Sequence, residues 1–325
     1  MFNMKKIIAL IASIALSSSL YGAKVTALKT VLDEEAFQLQ IVVDILEKMG
    51  HTVKVSNPLE YTITLQTIAN NAKSDDVYFM AAHWFPIQTN MIKGVGGDKT
   101  LAISPSYIAN CAHGYAIDKK TADKYNIKYI SDLDDPKIAK LFDSNGNGKA
   151  DLTGASVGWE VANTIEHHLD TFKLRDNIDH NQGSYSALLA DTLARYKTGK
   201  SVIFYTWTPY WLSGKLVPGK DITFLQVKYS AHPKGISTKL SNGADYGFAV
   251  NSQKIVANKS IRTNHKDIAK LFDIMKLSVN DVSGQNMLMR KGQNKPKDIK
   301  RHAKKWIAAN KTKVDAWIKE AKAAK

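Results

Sequence analysis

Val77-Tyr78-Phe79-Met80-Ala81-Ala82 runs directly into His83-Trp84-Phe85-Pro86, and Val202-Ile203-Phe204-Tyr205-Thr206 runs directly into Trp207-Thr208-Pro209. Each is a short apolar run of the kind that forms a strand buried on both faces. A Trp followed by a Pro therefore closes two buried strands. Trp159 stands at the end of a third, shorter run, residues 156–158, without the proline. In open α/β sheets, ligands bind just beyond the carboxyl ends of the strands. The three indoles thus mark a candidate site. Trp is also a common core anchor, and the pattern alone does not separate the two roles.

Outward from these runs, strand-type and helix-type segments alternate, which is the pattern of an α/β fold. Residues 25–31, 52–55, 114–117 and 246–250 read as further strands, the last returning toward the first half of the chain. Residues 34–49 read as a helix, with Phe37, Ile41, Ile45 and Leu46 on one face and Gly50 as its stop. Residues 65–72, 119–125, 137–142 and 161–172 read as helices. Ser184 is placed to cap another that runs to Lys197, with Leu188, Leu189 and Leu193 inward and Gly199 as its stop. The C-terminal part reads as helices over 268–276, 282–289, 299–309 and 312–323. Trp306, Ile307, Val314, Trp317 and Ile318 form an apolar stripe there, so those two Trp read as core.

The chain has 325 residues, 44% hydrophobic and 23% charged, which excludes disordered, collagen-like and low-complexity classes. Its 45 Lys and Arg exceed its 30 Asp and Glu by 15. The excess is spread along predicted helix faces, which reads as a solvated surface rather than a nucleic-acid footprint. Lys5 and Lys6, an apolar centre over residues 7–16 and a small-residue zone ending at Gly22-Ala23 have the layout of a secretory signal peptide, residues 1–23. The expectation is a soluble periplasmic protein; no N-terminal Cys is present to carry a lipid anchor. The single cysteine, Cys111, reads as a small core residue.

Several Trp faces arranged as a box suit a quaternary ammonium, which donates no hydrogen bonds and is weakly hydrated. Each desolvated face contributes about 2 kcal/mol, though not additively. Further segments make the reading specific: Asp118-Lys119-Lys120-Thr121-Ala122-Asp123, Asp135-Pro136-Lys137-Ile138-Ala139-Lys140-Leu141-Phe142, Asn181-Gln182-Gly183, Tyr205-Thr206-Trp207-Thr208-Pro209-Tyr210-Trp211 and Asn242-Gly243-Ala244. In this order they closely resemble the periplasmic glycine betaine/proline betaine-binding proteins of ABC importers, from about Thr30 to the C-terminus. The resemblance implies a two-lobed periplasmic binding protein fold of type II with the ligand cleft between the lobes. Lobe A would comprise 24–112 with 246–325, and lobe B 113–245. It places Trp84, Trp159 and Trp207 around the trimethylammonium. It also implies a monomer that delivers its ligand to a membrane permease with its ATPase.

The sequence departs from that family at the carboxylate end. Gln88 replaces the expected His, keeping a hydrogen-bond donor but no charge. Glu160 and Val161 follow Trp159, where their backbone N–H groups would hold the carboxylate. The Glu160 side chain is expected to point to solvent; turned inward it would favour a plain cation such as choline. His83 either lines the pocket or caps a strand. Asp143, Asn145, Asn147 and Asp151 have the alternate oxygen spacing of a calcium loop. Gly154 stands where the bidentate Glu belongs, and an Asx-rich turn is the simpler reading. No cofactor is required. His167 and His168 read as surface residues. Choline or carnitine binding, an exported hydrolase of a choline ester, and a basic nucleic-acid binder are the alternatives. The hydrolase would need a nucleophile, base and oxyanion hole, for which no set stands out.

Overall fold

In the computed structural model, which describes residues 22–324, the chain folds into two five-stranded sheets with helices packed on each. The expected leader, save for Gly22 and Ala23, lies outside the described residues. The strands are β1 (Lys24–Ala27), β2 (Thr52–Val55), β3 (Val77–Phe85), β4 (Leu101–Cys111), β5 (His113–Asp118), β6 (Ala150–Thr153), β7 (Ile178–Asn181), β8 (Ile203–Trp207), β9 (Ile222–Phe224) and β10 (Asn251–Asn258). The longer helices are α1 (Ala36–Met49), α2 (Tyr61–Asn70), α3 (Glu160–Thr171), α4 (Tyr185–Lys197), α5 (Lys266–Ile274), α6 (Val279–Arg290), α7 (Pro296–Ala309) and α8 (Lys311–Lys322).

The first sheet has the order β2-β1-β3-β10-β4 and the second β7-β6-β8-β5-β9. In the first, β1 is parallel to β2 and β3, while β10 runs antiparallel between β3 and β4. In the second, β6 is parallel to β7 and β8, and β5 is antiparallel to β8 and β9. Each sheet therefore forms the centre of one lobe of an α/β protein. The chain passes from the first sheet to the second at Ala112, between β4 and β5. It returns through residues 225–250 into β10. At the first crossing, Thr208 and Ala112 exchange backbone and side-chain hydrogen bonds, with Thr208 N donating to Ala112 O at 2.7 Å. His113 is tied to the second crossing, its Nε2 lying 2.8 Å from Ala249 O and 2.9 Å from Asn251 Nδ2.

Local sequence explains much of this. The α1 stripe of Phe37, Ile41, Ile45 and Leu46 is buried on the first sheet, and Gly50 ends the helix at φ 103 with its N–H turned back to Glu47 O. Helix α7 packs on α1 and α8 on α5, with the Trp306 and Trp317 rings stacked at 6.4 Å. Several expectations are corrected. Residues 156–158 form a turn rather than a strand, because Gly158 takes φ 86; the strand of that region is β6. Residues 246–250 precede the returning strand, which is β10. Helix α2 starts at Tyr61, not 65. Ser184 sits at the N-cap of α4, yet its side chain makes no capping hydrogen bond. His168 is buried, not exposed: it faces inward from α3, and its Nδ1 pairs with Tyr115 OH at 2.9 Å.

Candidate functional site

Trp84 is the penultimate residue of β3 and Trp207 the last residue of β8, so both stand where their strands leave the sheet. Each precedes a cis X-Pro bond, Phe85-Pro86 and Thr208-Pro209. Trp159 reaches the same place differently: it is the N-cap of α3, presented by the turn at Gly158. All three line one cavity of about 700 Å³, walled by both lobes. Trp84 comes from the first sheet, Trp159 and Trp207 from the second lobe. The Trp159 and Trp207 rings meet nearly edge to face at 5.5 Å and 75°.

The second lobe extends this aromatic wall. Tyr210 stacks on Trp207 at 4.4 Å, and Tyr185 lies 4.9 Å from Trp207 and 5.8 Å from Trp159. Tyr185 OH donates to Tyr205 O at 2.7 Å, while Tyr205 OH pairs with His113 Nδ1 at 2.8 Å. All three tyrosines line the cavity. The sequence signal was available: Tyr205 and Trp207 sit two apart on one strand and therefore share a face. Trp211 does not line the cavity; it is buried against α6, with the Arg290 guanidinium 4.5 Å from its ring.

The polar residues divide. Gln88 lines the cavity, and its Oε1 accepts from Trp84 N at 3.2 Å, leaving the amide donor unused in that bond. Glu160 and Val161 line it as the first two residues of α3, whose N-cap Trp159 provides no side-chain acceptor. The Glu160 side chain is not directed to free solvent: it is 19% exposed and accepts from Lys234 Nζ at 2.7 Å. The same oxygen accepts from Asn90 Nδ2 of the opposite lobe at 2.9 Å. His83 does not line the cavity, since alternation along β3 turns it away from the Trp84 face. It packs with Phe85 at 5.1 Å, and burial pushes its imidazole down to about 4. Cys111 borders the cavity but is buried, and burial pushes its thiol up to about 12.

Three acids escaped the sequence reading, one of them Glu60, which lines the cavity from the N-cap of α2. Glu34 lines the cavity, and burial, then the neighbouring Asp33, raises its carboxyl above the usual range. Glu35 is buried beside Trp84 and accepts a hydrogen bond from its Nε1 at 2.8 Å. No Lys or Arg stands among the residues lining the cavity.

The candidate calcium loop lies apart from the cavity. Asp143 Oδ1 accepts from Asn145 N and Gly146 N, and its Oδ2 from Gly148 N at 2.8 Å. Asp151 accepts from Ser144 N and Asn145 Nδ2, and Asn147 Nδ2 donates to Asp179 at 2.7 Å. These backbone donors draw the Asp143 carboxyl below its ordinary value.

Residues 24–309 match the family model described as the substrate binding domain of the ABC-type glycine betaine transport system. The chain is 46% identical over 306 residues to the glycine betaine-binding periplasmic protein OusX of Dickeya dadantii, covering 93% of this chain and 91% of that protein. It is 46% identical over 305 residues to the glycine betaine/proline betaine-binding periplasmic protein of Escherichia coli, with coverage of 93% and 91%. Among solved structures, lactococcal OpuAC in its closed form with glycine betaine superposes with a TM-score of 0.67 at 19% identity, covering 91% of this chain and 99% of that one. A choline-binding protein with choline gives 0.67 at 16%, covering 93% and 96%. At these identities the two structures establish the shared two-lobed fold alone. By family model, sequence and fold, the chain belongs to the substrate-binding proteins of ABC-type glycine betaine transport systems.

Proposed function

We propose that this protein captures glycine betaine, or a closely related quaternary-ammonium zwitterion, in the periplasm and delivers it to a membrane permease and its ATPase. The observation that carries the reading is the convergence of Trp84, Trp159 and Trp207, from both lobes, on one cavity. A trimethylammonium fits such a box because the indole faces offer negative potential and apolar area without demanding a hydrogen-bond donor. The carboxylate of the ligand would meet the unpaired first-turn N–H groups of Glu160 and Val161 and the amide of Gln88. Lys234 offsets the Glu160 charge at that end. Lobes that gain contacts only when shut convert binding into a shift of an open–closed equilibrium. We place the lobe boundaries at residues 112 and 245. The 143–151 loop is read as a self-closed Asx-rich turn, since its carboxylate oxygens already accept backbone N–H donors.

The protein is read as a carrier and not a catalyst. Cys111, the thiol bordering the cavity, is held neutral by burial and is a poor nucleophile. A second ligand reading rests on one observation: Glu34, Glu60 and Glu160 line the cavity and no Lys or Arg does, which suits a plain cation such as choline. Calorimetric titration with glycine betaine and choline in parallel decides between them. A micromolar affinity for glycine betaine, about −8 kcal/mol, and weaker binding of choline are expected. Strong choline heat with no response to glycine betaine would overturn the assignment of the ligand.

A further inference from the structure

Glu35 lies in the short turn Asp33–Glu35 that precedes α1, 5% exposed, directly behind the Trp84 ring. Its Oε1 accepts from Trp84 Nε1 at 2.8 Å and from Tyr61 OH, and its Oε2 accepts from Thr30 Oγ1 at 2.5 Å. Three donors from three separate segments thus converge on one buried carboxyl. The groups acting on it are Thr30, Tyr61 of α2, Trp84 of β3 and, from its own turn, Glu34. No cation is among them. A carboxylate so placed is desolvated without a countercharge, an arrangement that is costly unless a positive charge arrives.

We propose that Glu35 is a positioning residue of the indole box, holding Trp84 by its N–H, and that its carboxylate charge links ligand capture to proton release. The proposal rests on the reading of the cavity as a quaternary-ammonium site. The hydrogen bond at the N–H edge fixes the rotation of the Trp84 ring, so its face is oriented before the ligand enters. A negative charge on that edge also enriches the π face that a cation would meet. Conversely, a cation on the Trp84 face is the countercharge that Glu35 lacks.

The linkage has a definite sign. Burial, opposed by the three donors, pushes the Glu35 carboxyl up to about 7. A bound cation favours the ionised form and lowers that value. Near and below pH 7 the free protein holds a proton that the complex gives up, so affinity weakens as pH falls. The bordering imidazole of His113 and the nearby His83 are pushed down to about 4 by burial and do not titrate in this window. Glu34 is the one other carboxyl of the turn whose value is raised toward it, which makes it the necessary control.

The test is calorimetric titration of the full protein with glycine betaine from pH 5.5 to 8.5, in buffers of differing ionisation heat. Binding about tenfold weaker at pH 6 than at pH 8.5, with proton release on binding, is expected. Glu35→Gln should bind more weakly at pH 8.5 and lose the slope, whereas Glu34→Gln should keep it. Tyr61→Phe removes one donor to the ionised form and should move the midpoint to higher pH. A wild-type affinity that is flat with pH, or a slope that survives Glu35→Gln, overturns this inference while leaving the ligand reading intact. Absence of binding at every pH overturns both. The wild-type proton release decides the matter even where a variant does not fold.

Discussion

Trp207 illustrates how much one side chain is asked to do. It closes β8, stacks on Tyr210, meets Trp159 edge to face and is 9% exposed on the cavity wall. Trp207→Ala should weaken glycine betaine binding by more than tenfold, as expected for removal of a desolvated aromatic anchor. Circular dichroism should show an intact fold, because the rest of the aromatic wall stays packed; unchanged affinity would remove Trp207 from the site. This residue was legible in the sequence because an indole at a strand end followed by proline occurs twice. Glu35 was not. Beside Asp33 and Glu34 at a helix start it reads as one more surface acid favoured by the helix dipole. Only the fold brings Thr30, Tyr61 and Trp84 onto it. His168 misled for a related reason, since adjacent histidines read as solvated until α3 is seen to turn one of them onto Tyr115.

At the scale of elements, the amphipathic helices and strands β1, β2, β3, β5 and β8 were readable, whereas β4, β7, β9, β10 and even the buried parallel β6 were not. β4 is an edge strand carrying Pro105 and several polar residues, which an edge tolerates but which hides the strand signal. β10 is central, yet Asn251, Gln253 and Asn258 are buried in it, so its pattern reads as polar. These buried amides are used locally: Asn258 Oδ1 accepts from Tyr78 N at 2.8 Å, and Asn251 Oδ1 from Ile87 N at 3.2 Å. The start of α3 carries a contact that spans the cleft, from Asn90 of the short helix Thr89–Gly94 to Glu160, itself paired with Lys234. The three side chains are partly or fully open to water, so the bridge contributes about 0.5–1 kcal/mol. Asn90→Ala should therefore weaken binding about two- to fivefold, chiefly through faster release in stopped-flow kinetics. An unchanged release rate would show that the bridge does not hold the lobes together.

Across the whole molecule, burial disfavours the charged form of several imidazoles, most strongly those of His83, His113 and His168. Burial pushes His83 and His113 down to about 4 and His168 down to about 3. The unfolded chain takes up protons at these positions near pH 6.5, where the folded protein does not. Their stabilising contribution is therefore complete above about pH 6.5 and is lost as pH falls toward 4. Glu35 acts in the opposite sense, because its raised carboxyl binds a proton in the folded state first, below about 7. Burial raises the Glu34 and Asp44 carboxyls in the same sense as Glu35 but also lowers His180, His232 and His302, so the imidazoles dominate and the melting temperature of the ligand-free protein should fall between pH 6.5 and 4.5. Scanning calorimetry across that range checks this, and a constant or rising melting temperature would contradict the buried neutral assignment.

Two lobes, each built on its own sheet, bring their aromatic residues to a common cavity, and the account depends on what those rings recognise. tert-Butylacetate has the shape and carboxylate of glycine betaine but carries carbon in place of the charged nitrogen. Competitive calorimetry of the two ligands on the wild-type protein separates attraction to charge from fit to shape. If indole faces hold a cation, tert-butylacetate should bind at least a hundredfold more weakly, as several desolvated faces at about 2 kcal/mol each require. Equal affinity for the two would contradict recognition of the methylated cation by the three tryptophans.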